Sequence, residues 1–185
     1  MWTPRRAYAD AVARLSRSSV VSAAGRVIIA GLILGATMAT TITLVADSVV
    51  VLRAALTWSF AIVVQIAAAL VLVASSPRRR VGGVRAFDLL WAASGPWTLW
   101  LIGFTAWVAA SRAGGLELHQ AIVTLVMPAA WTTYLVFVYC REVLNHSIPA
   151  AVTRTALHQA SMWLVGAGYF FWAVQGWPRL IGLLG

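Results

Sequence analysis

Five long apolar stretches, separated by short segments that carry the arginines, constrain the fold of this 185-residue chain most. A bilayer core is about 30 Å thick, so a helix needs about 20 residues to cross it. The stretches have about this length and run from Val27 to Ala46, Ala54 to Ala74, Asp88 to Ala110, Leu118 to Tyr139 and Gln159 to Gln175. Short connections make consecutive helices pack antiparallel. We therefore predict an all-α integral membrane protein, an up-and-down bundle of about five transmembrane helices.

The composition supports this class of protein. Apolar residues make up 61% of the chain and charged residues 10%, whereas soluble domains contain about 45–50% and about 25%. These charges are too few to cover a surface that faces water, so we expect lipid around most of the protein. The single cysteine, Cys140, excludes an intrachain disulfide and a thiolate cluster for zinc or iron and sulfur.

Prolines and glycines predict breaks within three of the spans. Gly95-Pro96 and Pro128 are expected to kink the third and fourth spans. The fifth span is short, contains Gly166 and Gly168, and is soon followed by Pro178. We expect it to tilt little or to stop inside the outer headgroup layer.

The first 26 residues are basic and amphipathic, so we divide the chain into this cytoplasmic segment, 1–26, and a five-span domain, 27–185. Thr3 suits a helix cap, and Pro4 suits the first helical position. On a helix, an apolar face would oppose a charged one, with Tyr8, Ala11, Val12 and Leu15 against Arg6, Asp10, Arg14 and Arg17. This pattern predicts an amphipathic helix lying on the membrane surface. The alternative is a charged helix packed on a partner.

Arginine supplies all the basic side chains, and the formal net charge is +9. Most arginines lie before the first span and after the second and fourth spans: Arg5, Arg6, Arg14, Arg17, Arg26, Arg78, Arg79, Arg80, Arg85, Arg141 and Arg154. The other side has Arg53, Arg112 and Arg179. Because cytoplasmic loops are enriched in basic residues, we predict a cytoplasmic N-terminus and, with an odd number of spans, a C-terminus outside.

The same arginines predict the partners. Nine of them are expected to contact anionic lipid headgroups: Arg5, Arg6, Arg14, Arg17, Arg26, Arg78, Arg79, Arg80 and Arg85. Nucleic acid is not expected as a partner, because the chain offers no folded polar domain to display a basic patch.

Three features predict close helix packing. Gly31, Gly35 and Ala39 place small residues at every fourth position, which lets two helices touch. Their partner is another span of this chain or a separate subunit. Gln65 is predicted to hydrogen-bond across helices, to Thr37, Thr40, Ser94, Thr98 or Thr132, or else to form the polar wall of a pocket. A third-span stripe, formed by Trp97, Trp100, Phe104 and Trp107, suits bundle packing or contact with a protein, pigment or lipid.

Chemistry-bearing residues are expected only near the span ends. All acidic residues after the N-terminal helix lie at or beyond the ends of the spans. Proton relays and ion-coupled carriers usually need ionisable groups near the middle of the membrane, so the sequence does not favour these classes of protein. His119 is predicted outside, whereas His146 and His158 are predicted inside, so no haem or metal site is expected. We identify no catalytic residues and expect no cofactor and no enzymatic activity.

Two segments carry a family resemblance. They run from Gly25-Arg26-Val27 to Trp58-Ser59-Phe60 and from Arg85-Ala86-Phe87 to Pro96-Trp97 and Trp100, about half of the chain. They resemble uncharacterised bacterial polytopic membrane proteins that are distantly similar to the Yip family of five-span proteins. The resemblance implies a scaffold or membrane-organising protein with a cytoplasmic N-terminus, and it transfers no functional residues.

Two functions are compatible with these features. The leading hypothesis, in line with the resemblance, is a non-catalytic protein of the bacterial inner membrane. It would be an accessory or scaffold subunit of a larger membrane complex, in contact with other integral subunits and anionic lipid. The alternative is a small transporter or lipid-handling protein with a cavity near Gln65, Pro96 and Pro128.

Overall fold

The computed structural model describes residues 3–13, 20–43, 47–110 and 118–184. Within these ranges the chain is all α, with no strand, which confirms the predicted helical bundle. The helices are α1 (Pro4–Ala13), α2 (Val20–Thr43), α3 (Ser48–Thr57), α4 (Ser59–Ala74), α5 (Gly83–Ala92), α6 (Gly95–Ala110), α7 (Leu118–Glu142) and α8 (Ile148–Leu184). Helix α2 packs on α3 and α6, α7 packs on α6 and α8, and α4 packs on α5 and α8.

Two of the predicted spans are each built from two helices. The second predicted span is divided at Trp58, where α3 and α4 meet at an angle of 45°. The Ser59 hydroxyl donates to the carbonyl of Leu56 at this bend, and a side chain that bonds the backbone in this way bends helices. The third predicted span is divided before Gly95-Pro96, which confirms a break at that dipeptide.

The fifth predicted span lies within a longer helix. Helix α8 has 37 residues and continues through Gly166, Gly168 and Pro178. It also begins at Ile148, eleven residues before the predicted start at Gln159. Proline is tolerated in the first turn of a helix, which explains why Pro149 lies inside α8.

One helix of the described residues is long and apolar enough to cross a membrane by itself, and it is the part of α7 from Val123 to Glu142. The bent pair α3 and α4 also qualifies if it is counted as one span. The segment Ala23–Ala39 of α2 is apolar but shorter. The five-span arrangement therefore stays a prediction.

The N-terminal helix forms as predicted, but its apolar face packs on protein. The Thr3 hydroxyl accepts from the Arg6 amide at 3.4 Å, as expected of a cap. Tyr8 is 6% exposed, its hydroxyl donates to the Leu89 carbonyl at 3.4 Å, and its ring meets that of Tyr139 at 6.0 Å. The prediction that this face rests on the membrane is therefore wrong, and the alternative of a helix packed on a partner holds, the partner being α7 of the same chain. Leu15 lies outside the described residues.

Candidate functional site: a cavity inside the bundle

A cavity of about 300 Å³ lies between α2, α4, α5, α6, α7 and α8. Its wall is mostly apolar and includes three indole rings, those of Trp91, Trp97 and Trp163. The polar residues on the wall are Gln65, Ser94, Thr98, Thr132, His158 and Gln159. Small-molecule sites are typically apolar cavities of about 300–1,000 Å³ with a few polar groups. The cavity fits this description.

Small residues create the space. Ala61 and Ala69 face the cavity from α4, Ala93 faces it from the break between α5 and α6, and Gly166 faces it from α8. At the break, the Ala93 and Ser94 amides donate to carbonyls only three residues earlier, at 2.9 and 3.0 Å. These tight turns end α5 and bring the Ser94 side chain to the wall.

Gln65 takes the interhelical role that the sequence predicts. Its side-chain amide donates to the Ser94 hydroxyl, and this bond joins α4 to the α5–α6 break. Both residues line the cavity, so the pocket-wall interpretation holds together with the packing one. Of the two prolines predicted near this cavity, Pro96 lies between the wall residues Ser94 and Trp97, and Pro128 lies one helical turn before Thr132.

His158 is the wall residue that sequence reasoning missed. We predicted it inside, before the fifth span, but it lies about three turns into α8 because this helix starts at Ile148. His158, Met162 and Gly166 share the cavity at spacings of four residues, the spacing of one helix face. The spacing could have identified His158 from the sequence. It was missed because the fifth span was predicted to start at Gln159, one residue after His158.

The predicted stripe of small residues is tightly packed at Gly35 and Ala39, whereas a side chain would have space at Gly31. Gly35 meets α3 so closely that a Cβ there would lie 2.5 Å from the Ala55 Cβ, and Ala39 is 2% exposed. Gly31 has nothing within 4 Å of such a Cβ. The close helix contact at Gly35 is therefore with α3 of the same chain.

The aromatic stripe packs on itself and on neighbouring helices. Trp100 and Phe104 stack at 4.8 Å, and each forms an edge contact at 6.0 Å, with Trp97 and Trp107 respectively. The Trp100 indole donates to the Thr124 hydroxyl of α7 at 3.1 Å. These contacts favour the bundle-packing interpretation of the stripe.

Most of the predicted headgroup arginines that the structure describes have contacts within the chain. Arg5 and Arg80 pair with Glu142 at 2.7 and 3.7 Å. Arg26 and Arg85 pair with Asp88 at 2.9 and 3.6 Å. Of the others, Arg79 donates to the Val73 carbonyl, Arg6 and Arg78 are exposed, and Arg14 and Arg17 lie outside the described residues. The N-terminal helix and the links after α4 and α7 therefore share one end.

Polar bonds join the two links at this end. The Arg80 amide donates to the Val143 carbonyl at 2.9 Å, and Ser76 and His146 share a hydrogen bond of 3.0 Å. Burial, with a smaller contribution from the positive charge of Arg154, lowers the pKa of His146 below its usual value. The neutral imidazole is thus the form that the folded link favours.

No group of three His, Cys, Asp or Glu side chains within residues 3–13, 20–43, 47–110 and 118–184 is placed to hold a metal ion.

No family model matches the chain, and neither a curated protein nor a solved structure matches it. The resemblance to the Yip family stays a prediction.

Proposed function

We propose that the protein is an inner-membrane helical bundle that binds a small amphipathic molecule in its central cavity, as a lipid-handling or transport protein does. The observation that carries this proposal is the cavity itself, with apolar walls and a few uncharged polar groups. Membrane embedding would place this cavity within the hydrocarbon layer, where a partly apolar ligand concentrates.

The outer surface of the bundle supports a membrane location. Large apolar side chains are exposed on several helices, among them Val21 at 81%, Met127 at 69% and Leu164 at 73%. Apolar surface on this scale favours contact with lipid or other proteins over contact with water. With five crossings and the arginine-rich end in the cytoplasm, the N-terminus lies inside and the C-terminus outside.

The second candidate is an accessory subunit of a larger membrane complex. The exposed apolar residues favour it, because a partner helix covers such a surface as well as lipid does. However, the two stripes that motivated this hypothesis are largely used within the chain, Gly35 against Ala55 and the tryptophans against one another. We therefore place ligand binding first.

Filling the cavity tests the proposal. Ala61 lines the cavity, whereas Ala67 is exposed on the same helix. We expect wild type and Ala67→Phe, purified in mild detergent, to release the same small molecule on solvent extraction. Ala61→Phe is expected to lose at least about nine-tenths of it, which corresponds to about 1.4 kcal/mol of binding free energy. Mass spectrometry of the extracts measures this.

Two outcomes would contradict the proposal. Equal amounts of the molecule in Ala61→Phe and Ala67→Phe would place it outside the cavity. A wild type that carries no small molecule but purifies with a fixed set of other membrane subunits would favour the accessory-subunit function.

A further inference from the structure

Two residues of the cavity wall, Thr132 and His158, each have a buried polar atom that lacks a hydrogen-bond partner among the described residues. These atoms are the Thr132 hydroxyl oxygen and Nδ1 of His158. Thr132 is 7% exposed. Buried polar groups are almost always hydrogen-bonded, because losing water without gaining a partner is unfavourable. We propose that Thr132 and His158 bind the polar end of the ligand, an uncharged ring compound with a carbonyl or hydroxyl oxygen. This inference rests on the proposed function.

The wall argues for an uncharged ligand. Its polar groups are hydroxyls, amides and one imidazole, and no carboxylate or guanidinium group lines it in the described part of the chain. An ionic headgroup would be buried there without an opposite charge, which is strongly unfavourable.

The hydrogen-bonding groups on the wall indicate that the polar end of the ligand is an oxygen atom. Gln65 and Ser94 already bond each other, so Thr132 and His158 are the groups that need a partner. A hydroxyl donates or accepts, and an imidazole nitrogen does either, depending on its tautomer. A carbonyl or hydroxyl oxygen therefore matches both.

The indole side chains on the wall indicate that the ligand contains a flat ring, and they indicate the side from which it enters the cavity. Trp97 and Trp163 meet edge to face at 6.0 Å on the wall, and aromatic surfaces of this kind pack well against a flat ring. Trp163 is also 51% exposed, beside Leu164 at 73%. The wall thus reaches the apolar outer surface, so the ligand enters sideways from the hydrocarbon layer.

Two probes of similar shape test this inference. Naphthoquinone (the 1,4 isomer) carries two carbonyl oxygens, and naphthalene carries none. We measure naphthoquinone in phosphatidylglycerol nanodiscs as saturable quenching of tryptophan fluorescence, above the quenching seen with Ala61→Phe. Naphthalene, which does not quench tryptophan, is measured by its competition with naphthoquinone. Thr132→Val and His158→Phe are each expected to bind naphthoquinone about five- to tenfold more weakly and naphthalene unchanged.

The matched control is Thr133→Val. Thr133 is exposed on the same helix, and its hydroxyl donates to the Ala129 carbonyl at 2.7 Å. We expect this variant to bind naphthoquinone as wild type does. His158→Asn keeps a polar group near the position of Nδ1 and is expected to restore part of the affinity.

Stability separates a ligand-binding role from a structural one. Removing a buried hydroxyl without a partner is expected to raise the thermal midpoint of ligand-free Thr132→Val by about 2–4 °C. A hydroxyl that supported the fold would lower the midpoint when removed.

Each contrary result has one meaning. Unchanged naphthoquinone binding by both Thr132→Val and His158→Phe would overturn the inference and leave the proposed function standing. A wild type that yields an extracted ligand but does not bind naphthoquinone would show that the ligand class is wrong. A wild type that yields no ligand and binds neither probe would overturn both.

Discussion

Replacing Asp88 by alanine is expected to lower the free energy of unfolding by about 3 kcal/mol. The Asp88 side chain is 1% exposed, and its two oxygens lie 2.9 Å from Arg26 and 3.6 Å from Arg85. Removing the carboxylate leaves two guanidinium groups facing each other without an anion. The Arg26 side chain is 51% exposed and regains water, so we expect the lower end of the usual cost of roughly 3–5 kcal/mol.

Asp10→Ala is the control, because Asp10 is exposed on α1. It is expected to change stability by less than about 0.5 kcal/mol. Denaturant unfolding in detergent, followed by tryptophan fluorescence, measures both variants. If the two differ by less than about 1 kcal/mol, the ion pairs of Asp88 with Arg26 and Arg85 do not hold this end of the bundle together.

Gly35→Leu is expected to cost about 3 kcal/mol, at the upper end for an overpacked site. A Cβ at this position would lie 2.8 Å from the backbone nitrogen and Cα of Ala55, and backbone cannot rotate away as a side chain does. Helix α3 must therefore move away from α2.

Gly31→Leu, one turn earlier on the same helix, is the matched control. Nothing lies within 4 Å of a Cβ there, and leucine forms helix better than glycine, so this variant is expected to be neutral or more stable by up to about 1 kcal/mol. The same unfolding measurement compares the two variants. Equal losses of unfolding free energy would mean that both glycines lie in a close helix contact, as the sequence motif alone predicts.

Local patterns predicted the features that depend on local chemistry. The Thr3 cap, the break at Gly95-Pro96 and the spacing of the aromatic stripe all depend on residues within one or two turns. The Gln65 bond to Ser94 was predictable as one of several partners, because a long polar side chain on an apolar helix needs one.

Features that depend on a distant partner could not be predicted. The apolar face of α1 suits lipid and protein equally well, and only the buried contact of Tyr8 with Leu89 and Tyr139 decides between them. The bend at Trp58 has no proline or glycine to mark it. The position of His158 in the cavity depends on where α8 starts, and helix boundaries are the least certain part of a sequence interpretation.

Accessibility to a membrane-impermeant maleimide tests most directly the central claim, that hydrocarbon surrounds the bundle. Val63 is 61% exposed and lies one turn into α4, midway along the chain between Ser48 and Arg78. The native Cys140 is fully buried. In sealed, oriented membranes, we expect Ser48→Cys and Arg78→Cys to react from opposite sides and Val63→Cys to react from neither. If Val63→Cys reacts as fast as Arg78→Cys, water covers this surface. If Ser48→Cys and Arg78→Cys react from the same side, α3 and α4 do not cross the membrane between these two positions.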